Sequence, residues 1–281
     1  MDAWIQSFGD DPISKVIEGN AIITGGAIVS LLCGEKPNDY DVYFKTHEAC
    51  LAVARYYAHK WNSEHGVEDG VVHVTDEEGR VRAFIQSKGV VSENDDLIDD
   101  ESEPINDGIA EDTKDDEKSE KEAKYHIRYI TSNAISLSDK IQVVLRFYGN
   151  VDEIHKYYDF VHCTCSYDYS KNEVVLPERA LEAIINKELY YIGSKYPLCS
   201  IIRARKFINR GWTINAGQYV KMCLQLNSLD LHDVDTLEDQ LTGVDSGYFQ
   251  QCVEAIRNEQ EGNRDFRPDD TYLFGLINKI F

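Results

Sequence analysis

Asp39 and Asp41 lie two residues apart in Asp39-Tyr40-Asp41-Val42-Tyr43-Phe44, a run whose alternation predicts a β-strand. On a strand this spacing turns both carboxylates to one face, where they repel each other unless a cation sits between them. Hard oxygen donors suit Mg²⁺, which takes one or two carboxylates together with substrate phosphates. Upstream, the apolar run Ala21-Ile22-Ile23 stops at Gly25 and Gly26, and Ala27, Ile28, Leu31 and Leu32 then recur at helical spacing. A strand, a glycine turn and a helix start let backbone N–H groups approach a phosphate without any basic side chain. The two segments together predict a phosphate-and-metal site. Arg203, Lys206 and Arg210, three and four residues apart, share one face of a predicted helix and form a basic spot in an acidic chain.

Stepping outward, the pattern predicts an α+β fold. Residues 1–20 and 46–64 carry helical apolar stripes. Residues 70–75 and 80–85 alternate about the turn at 76–79 and predict a hairpin. Residues 125–137, 139–147 and 158–167 predict three further strands, with a last strand or edge at 171–176. From Pro177 the pattern becomes helical, over 177–191, 197–212, 217–226, 248–258 and 271–281. Residues 91–124, rich in Asp, Glu, Ser and Lys and poor in aromatics, are expected to form a largely disordered surface insertion.

The net charge of -21 argues against casual nucleic-acid binding, because phosphate contacts dominate that affinity. More than half of that charge lies in residues 91–122, which hold 15 acidic residues and 3 lysines. No apolar run reaches the roughly 20 residues of a membrane helix, and the N-terminus lacks a secretory pattern. A cytoplasmic chain with no membrane partner is therefore expected, its 7 cysteines reduced. His162-Cys163-Thr164-Cys165 has no second Cys/His pair at zinc spacing and is expected to be plain strand.

The stretch Gly25, Gly26, Ile28, Leu32, Gly34, Asp39 and Asp41 resembles the head signature of the DNA polymerase β nucleotidyltransferase superfamily. Within it, the pattern is most similar to tRNA CCA-adding enzymes and bacterial poly(A) polymerases. Two later stretches support the likeness: Gln142-Val143-Val144-Leu145-Arg146 followed by Tyr157-Tyr158-Asp159-Phe160, and the neck-like Arg203, Ala204, Lys206, Phe207, Gly211 and Trp212. Val29-Ser30 stands where that family has Arg-Asp, Gln142 where it has Glu, Tyr157-Tyr158 where it has Arg-Arg, and Lys195-Tyr196-Pro197 where it has a base-reading Glu-Asp-x-x-Arg.

The resemblance implies a polymerase β-like head over residues 1–176 and a helical neck and body over 177–281. It also implies Mg²⁺, two ions with Mn²⁺ as an alternative, held by Asp39, Asp41 and Asp159. A neutral Gln142 is a poor stand-in for a carboxylate, so Asp159 becomes the expected third acid, with ribose binding or a structural role near a turn as its alternatives. Gly25, Gly26 and Ser30 are expected at the phosphates of a nucleoside triphosphate, with Arg146, Arg203, Lys206 and Arg210 neutralising residual charge. The implied activity is template-independent transfer of a nucleotide to a hydroxyl, foremost an RNA 3′ end. Two alternatives stay open: a small-molecule or protein acceptor, and a degenerate head that only binds a nucleotide or a partner protein.

Overall fold

The computed structural model describes residues 1–65, 72–77, 79–85, 124–241, 256–260, 262–263 and 266–280. The expected acidic insertion at 91–124 lies, except for its last residue, outside the described residues. Elements in chain order are α1 (Asp2–Gln6), α2 (Ile13–Asn20), β1 (Ala21–Thr24), α3 (Gly26–Leu32), β2 (Tyr40–Phe44), α4 (His47–Glu64), β3 (Val72–Glu77), β4 (Arg80–Ile85), β5 (Ile127–Ile130), β6 (Ala134–Leu137), β7 (Ile141–Val144), α5 (Val151–His155), β8 (Ser166–Asp168) and β9 (Glu173–Val175). Helices α6 (Glu178–Asn186), α7 (Pro197–Asn209), α8 (Ala216–Leu226), α9 (Val234–Leu241) and α10 (Asp270–Ile280) follow. The expected α+β architecture is thus present: a mixed sheet with flanking helices, then a helical C-terminal part.

Seven strands form one sheet in the order β5-β6-β7-β2-β1-β8-β9, while β3 and β4 make a separate two-stranded sheet. Strand β2 is central. It runs antiparallel to β1, with Ile23 opposite Val42, and parallel to β7, with Asp41 opposite Gln142. Alternation then divides the strands between two faces. Ala21, Ile23, Val42, Phe44, Ile141 and Val143 face a core closed by α2 and α4, where Ile17, Cys50, Val53 and Tyr57 pack. Ile22, Tyr43 and Val144 face a second cluster with Leu198, Ile202, Leu237 and Leu276 of the C-terminal helices. A third cluster joins Ile28 and Val29 of α3 to Ala204, Phe207 and Trp212 of the α7 region. The C-terminal helices therefore pack on the strand layer.

Local chemistry explains where the elements start and stop. Thr46 caps α4 by accepting from the Ala49 N–H at 3.2 Å, as its place before the helical stripe suggests. Asn150 and Glu153 close a reciprocal capping box on α5.

Three expected strands are shorter than their alternation suggested. The run at 125–137 breaks into β5 and β6 because Thr131 turns the chain: its hydroxyl oxygen accepts from the Ala134 N–H at 3.0 Å and its N–H donates to the Ala134 carbonyl at 2.9 Å. The run at 139–147 is a strand only over β7, since Asp139 and Lys140 take positive φ of 59° and 65°. The run at 158–167 contains a 3₁₀ turn at Val161–Thr164, where the Thr164 hydroxyl donates to the Val161 carbonyl at 2.7 Å. His162, Cys163 and Thr164 are accordingly turn residues. Among the described residues, no helix is long and apolar enough to cross a membrane.

His162 is fully buried between Phe160, Phe207 and Trp212, and neither ring nitrogen has a hydrogen-bond partner. Burial, reinforced by Arg203 and Arg210, lowers its pKa from 6.5 to about 3. The unfolded chain therefore binds a proton that the folded chain refuses. This contribution to stability is complete above the unfolded value of about 6.5 and is lost as pH falls below it, at up to about 1.4 kcal/mol per pH unit. Urea midpoints measured between pH 7 and 5 should fall, and the fall should be shallower in His162→Leu. An equal slope in that variant would contradict the assignment.

Candidate active site

Thr24, Asp41 and Gln142 form a row across β1, β2 and β7. Each lies two residues from a member of the second cluster (Ile22, Tyr43 and Val144), so all three project from that same sheet face. Asp39 precedes β2 by one residue and shares the parity of Asp41. With its amide nitrogen turned toward the acids, Gln142 donates to Asp41 Oδ1 at 3.1 Å and to Asp39 Oδ2 at 3.2 Å. One neutral side chain thus bridges two carboxylates that would otherwise repel.

The glycine turn stands beside Asp41. Gly25 has φ of +91°, a conformation that other residues rarely adopt, and a Cβ placed there would lie 3.4 Å from Asp41 Oδ2 and 3.6 Å from the Tyr158 hydroxyl. The N–H of Gly25 donates to the Cys163 carbonyl at 3.2 Å, so the donors left to meet a phosphate begin with Gly26. A Cβ at Gly26 would meet nothing within 4 Å, which leaves that backbone open to approach.

Beneath the turn, the Tyr158 hydroxyl is buried among Tyr43, Thr24 and Asp41. Burial, with Tyr43 and Asp41 nearby, raises its pKa well above the usual 10, so it remains a neutral phenol able to donate. The Thr24 hydroxyl donates to the Cys165 carbonyl at 2.8 Å and therefore accepts from His155 Nε2 at 2.8 Å. Burial lowers the His155 pKa to about 4, which keeps the ring neutral in that role. Cys163, raised to about 12 chiefly by burial, is a thiol and not a nucleophile.

The other expected site residues fall into four separate places. Asp159 is buried against Arg203, whose Nε is 3.3 Å from Asp159 Oδ2, and the carboxylate also accepts from the Phe160 N–H at 3.0 Å. Ser30 and Arg210 do meet: the guanidinium donates to the Ser30 hydroxyl at 3.3 Å and also binds Glu35, which lies 3.9 Å from Lys187. Arg146 donates to the Tyr196 hydroxyl at 3.0 Å and lies 3.5 Å from Asp239. Lys206 is exposed on α7.

Can these residues hold a divalent cation? Among the described residues no three His, Cys, Asp or Glu side chains gather as a metal group. The third member beside Asp39 and Asp41 is an amide instead. Turned by 180°, Gln142 places its carbonyl oxygen 3.1 and 3.2 Å from the two carboxylate oxygens. Ligands about 2.1 Å from an octahedral Mg²⁺ are spaced by roughly 3 Å, so this trio fits such an ion. Gln142, Tyr158, Thr24 and His155 were not singled out as functional from the sequence. The register of Gln142 beside Asp41 was the one available signal, and its neutrality hid it.

Comparison with known proteins places the chain. Solved structures with similar folds include the Thermotoga maritima CCA-adding enzyme complexed with tRNA, 11% identical, covering 86% of this chain and 49% of that one at a TM-score of 0.43. A tRNA-processing enzyme with CTP is 12% identical, covering 96% and 57% at a TM-score of 0.44. Among curated proteins, Gabija anti-defense 2 of Bacillus phage SPbetaL7 is 20% identical over 282 residues, covering 97% of this chain. The chain spans only 56% of that relative's length. The family model of Gabija anti-defense 2 (Gad2) matches residues 1–187, from α1 through the glycine turn, the aspartate pair and Gln142 to the end of α6. On that match the chain belongs to the Gabija anti-defense 2 family.

Proposed function

We propose that this chain is a metal-dependent nucleotidyltransferase of the polymerase β type, working against a defence of the kind its relative's name records. The observation that carries the reading is the clearance of 3.4 Å between the Cβ position of Gly25 and Asp41 Oδ2. A turn that only glycine fits is set beside one of the two carboxylates, and a triphosphate needs that conjunction of open backbone donors and metal-holding oxygens.

Asp39, Asp41 and Gln142 would hold Mg²⁺ or Mn²⁺, which when bound screens the triphosphate and polarises its α-phosphate. The first-turn N–H groups from Gly26 onward orient the phosphates. The neutral Tyr158 phenol, its oxygen 3.6 Å from the Cβ position of Gly25, offers an O–H donor beside the turn. Thr24, fixed by His155 and the Cys165 carbonyl, sets the position of the turn. Arg203 and Asp159 join α7 to the segment before the 3₁₀ turn, so Asp159 acts as a positioning residue on this reading. The acceptor is a hydroxyl, with an RNA 3′ end as the leading choice and a host protein as the next.

A second reading has an observation of its own. Gln142 can satisfy both aspartates without a cation, so retention of the acid pair is compatible with a head that binds and does not transfer. Incubation with each α-phosphate-labelled NTP and Mg²⁺, in the presence of total RNA or of host protein extract, separates the readings. Label is expected in one macromolecule; no incorporation with any NTP or acceptor would favour the binding-only head.

Two variants sharpen the test. Asp39→Ala/Asp41→Ala should fold, as read by circular dichroism, and lose transfer by at least about a hundredfold. Retained activity would sink the metal assignment. Gln142→Glu should tighten Mn²⁺ binding, read by calorimetry or electron paramagnetic resonance, by about ten- to a hundredfold, because it adds a negative oxygen to the set. In chelator the same variant should melt below wild type, with the loss restored by Mg²⁺. Unchanged Mn²⁺ affinity would show that Gln142 is not a ligand.

A further inference from the structure

At the other end of the central strands from Asp39 lies a cavity of about 1100 Å³ that the transfer reading does not use. Five cations line it: Arg80 and Arg82 from β4, Arg146 after β7, Lys156 after α5, and Lys195 before α7. In a chain of net charge -21 this is a marked local reversal. The acids of the same wall are Glu77 and Glu153, and they do not balance it. Glu153 is occupied in the α5 cap, where it accepts from the Asn150 N–H at 2.8 Å, and Glu77 stands 3.9 Å from Arg82. The Nε atoms of Arg80 and Arg82 are both buried and have no hydrogen-bond partner among the described residues. Burial and the charge of Arg146 lower the Lys195 pKa, against the opposing pull of Asp239, which also lies 3.5 Å from Arg146.

Arg80 already gives one amine to Asn133 Oδ1 at 3.3 Å, and the Arg82 side chain is 39% exposed; cations crowded on one wall repel one another, and an anion with several oxygens pairs with such groups. The wall also carries an aromatic shelf. Phe147 and Tyr157 stack at 4.3 Å between centroids with 13° between their planes, and Tyr157 remains 42% exposed. Its free surface is of the kind on which a nucleobase lies. We infer that this cavity is a nucleoside polyphosphate site separate from the glycine turn, with phosphates among Arg80, Arg82, Lys156 and Lys195 and the base on Tyr157.

The inference stands whether or not the aspartate site transfers nucleotides, and its test is arranged accordingly. Calorimetry on the full chain in EDTA removes cation-dependent binding at Asp39 and Asp41. ATP and inorganic tripolyphosphate should both bind, and both should persist in Asp39→Ala/Asp41→Ala. Arg80→Glu/Lys156→Glu should weaken both by at least tenfold. Tyr157→Ala should weaken ATP several-fold and leave tripolyphosphate unchanged, because only ATP carries a base. Should the charge-reversed variant lose its cooperative melting transition, Arg82→Gln with Tyr157→Ala provides the same readings. The assignment is overturned if ATP fails to bind in EDTA, if charge reversal leaves both affinities unchanged, or if a short single-stranded RNA binds through these residues more than tenfold tighter than ATP.

Discussion

The parallel pairing of β2 with β7 is the constraint on which the site depends. It sets Gln142 on one side of Asp41 and, through the antiparallel pairing on the other edge of β2, Thr24 on the other. Because side chains alternate, a slip of one residue would drive Asp41 into the core with Val42's neighbours and expel Val42. The register is held by what lies on the opposite face: Val42, Phe44, Ile141 and Val143 are all buried against α2 and α4. The polar row is therefore positioned by apolar burial behind it. Along β2 the site face changes within one step from the acid of Asp41 to the buried ring of Tyr43, where the C-terminal helices begin to pack.

Charge pairing then fixes the helix that carries the basic residues. Arg203 binds Asp159 and Arg210 binds Ser30 and Glu35, so α7 is tied at two points, one to the segment leading into the 3₁₀ turn and one to α3 and its exit. Between these ties sits the aromatic cluster around His162, and the two arginines help to keep that ring neutral. Cations that a sequence reading assigns to a triphosphate are here first of all fasteners. Arg203 and Asp159 together are more economical of charge than either alone, because a half-buried guanidinium satisfies a carboxylate that is almost fully buried.

Much of this was legible in the sequence where local rules govern. The α+β class, the glycine turn with its strand and helix, the acid pair, the Thr46 cap and the helical C-terminal part all follow from periodicity and turn chemistry. Strand lengths at 125–137 and 158–167 did not, because Thr131 and Thr164 make side-chain bonds to backbone that alternation cannot register. The placement of Asp159 was not legible for a different reason. Its partner Arg203 is 44 residues away in sequence, and nothing local says which acid a basic helix will meet. Gln142 was the subtlest case: it carries no charge to mark it, whereas its bridge to the two acids depends on the two N–H donors of one amide nitrogen.

The amide also changes the electrostatics of approach. Three acids at these positions would confront a triphosphate with a larger negative field in a chain already at -21, whereas two acids and an amide leave a smaller barrier and a weaker hold on a free cation. On the proposed reading the weaker hold shifts dependence toward a metal that arrives already bound to the nucleotide, since each then neutralises the other before meeting the pair. A neutral oxygen from Gln142 would then complete the donor set without adding repulsion. The same side chain, turned the other way, donates to Asp39 and Asp41 together, so the strand register need not be held against their repulsion.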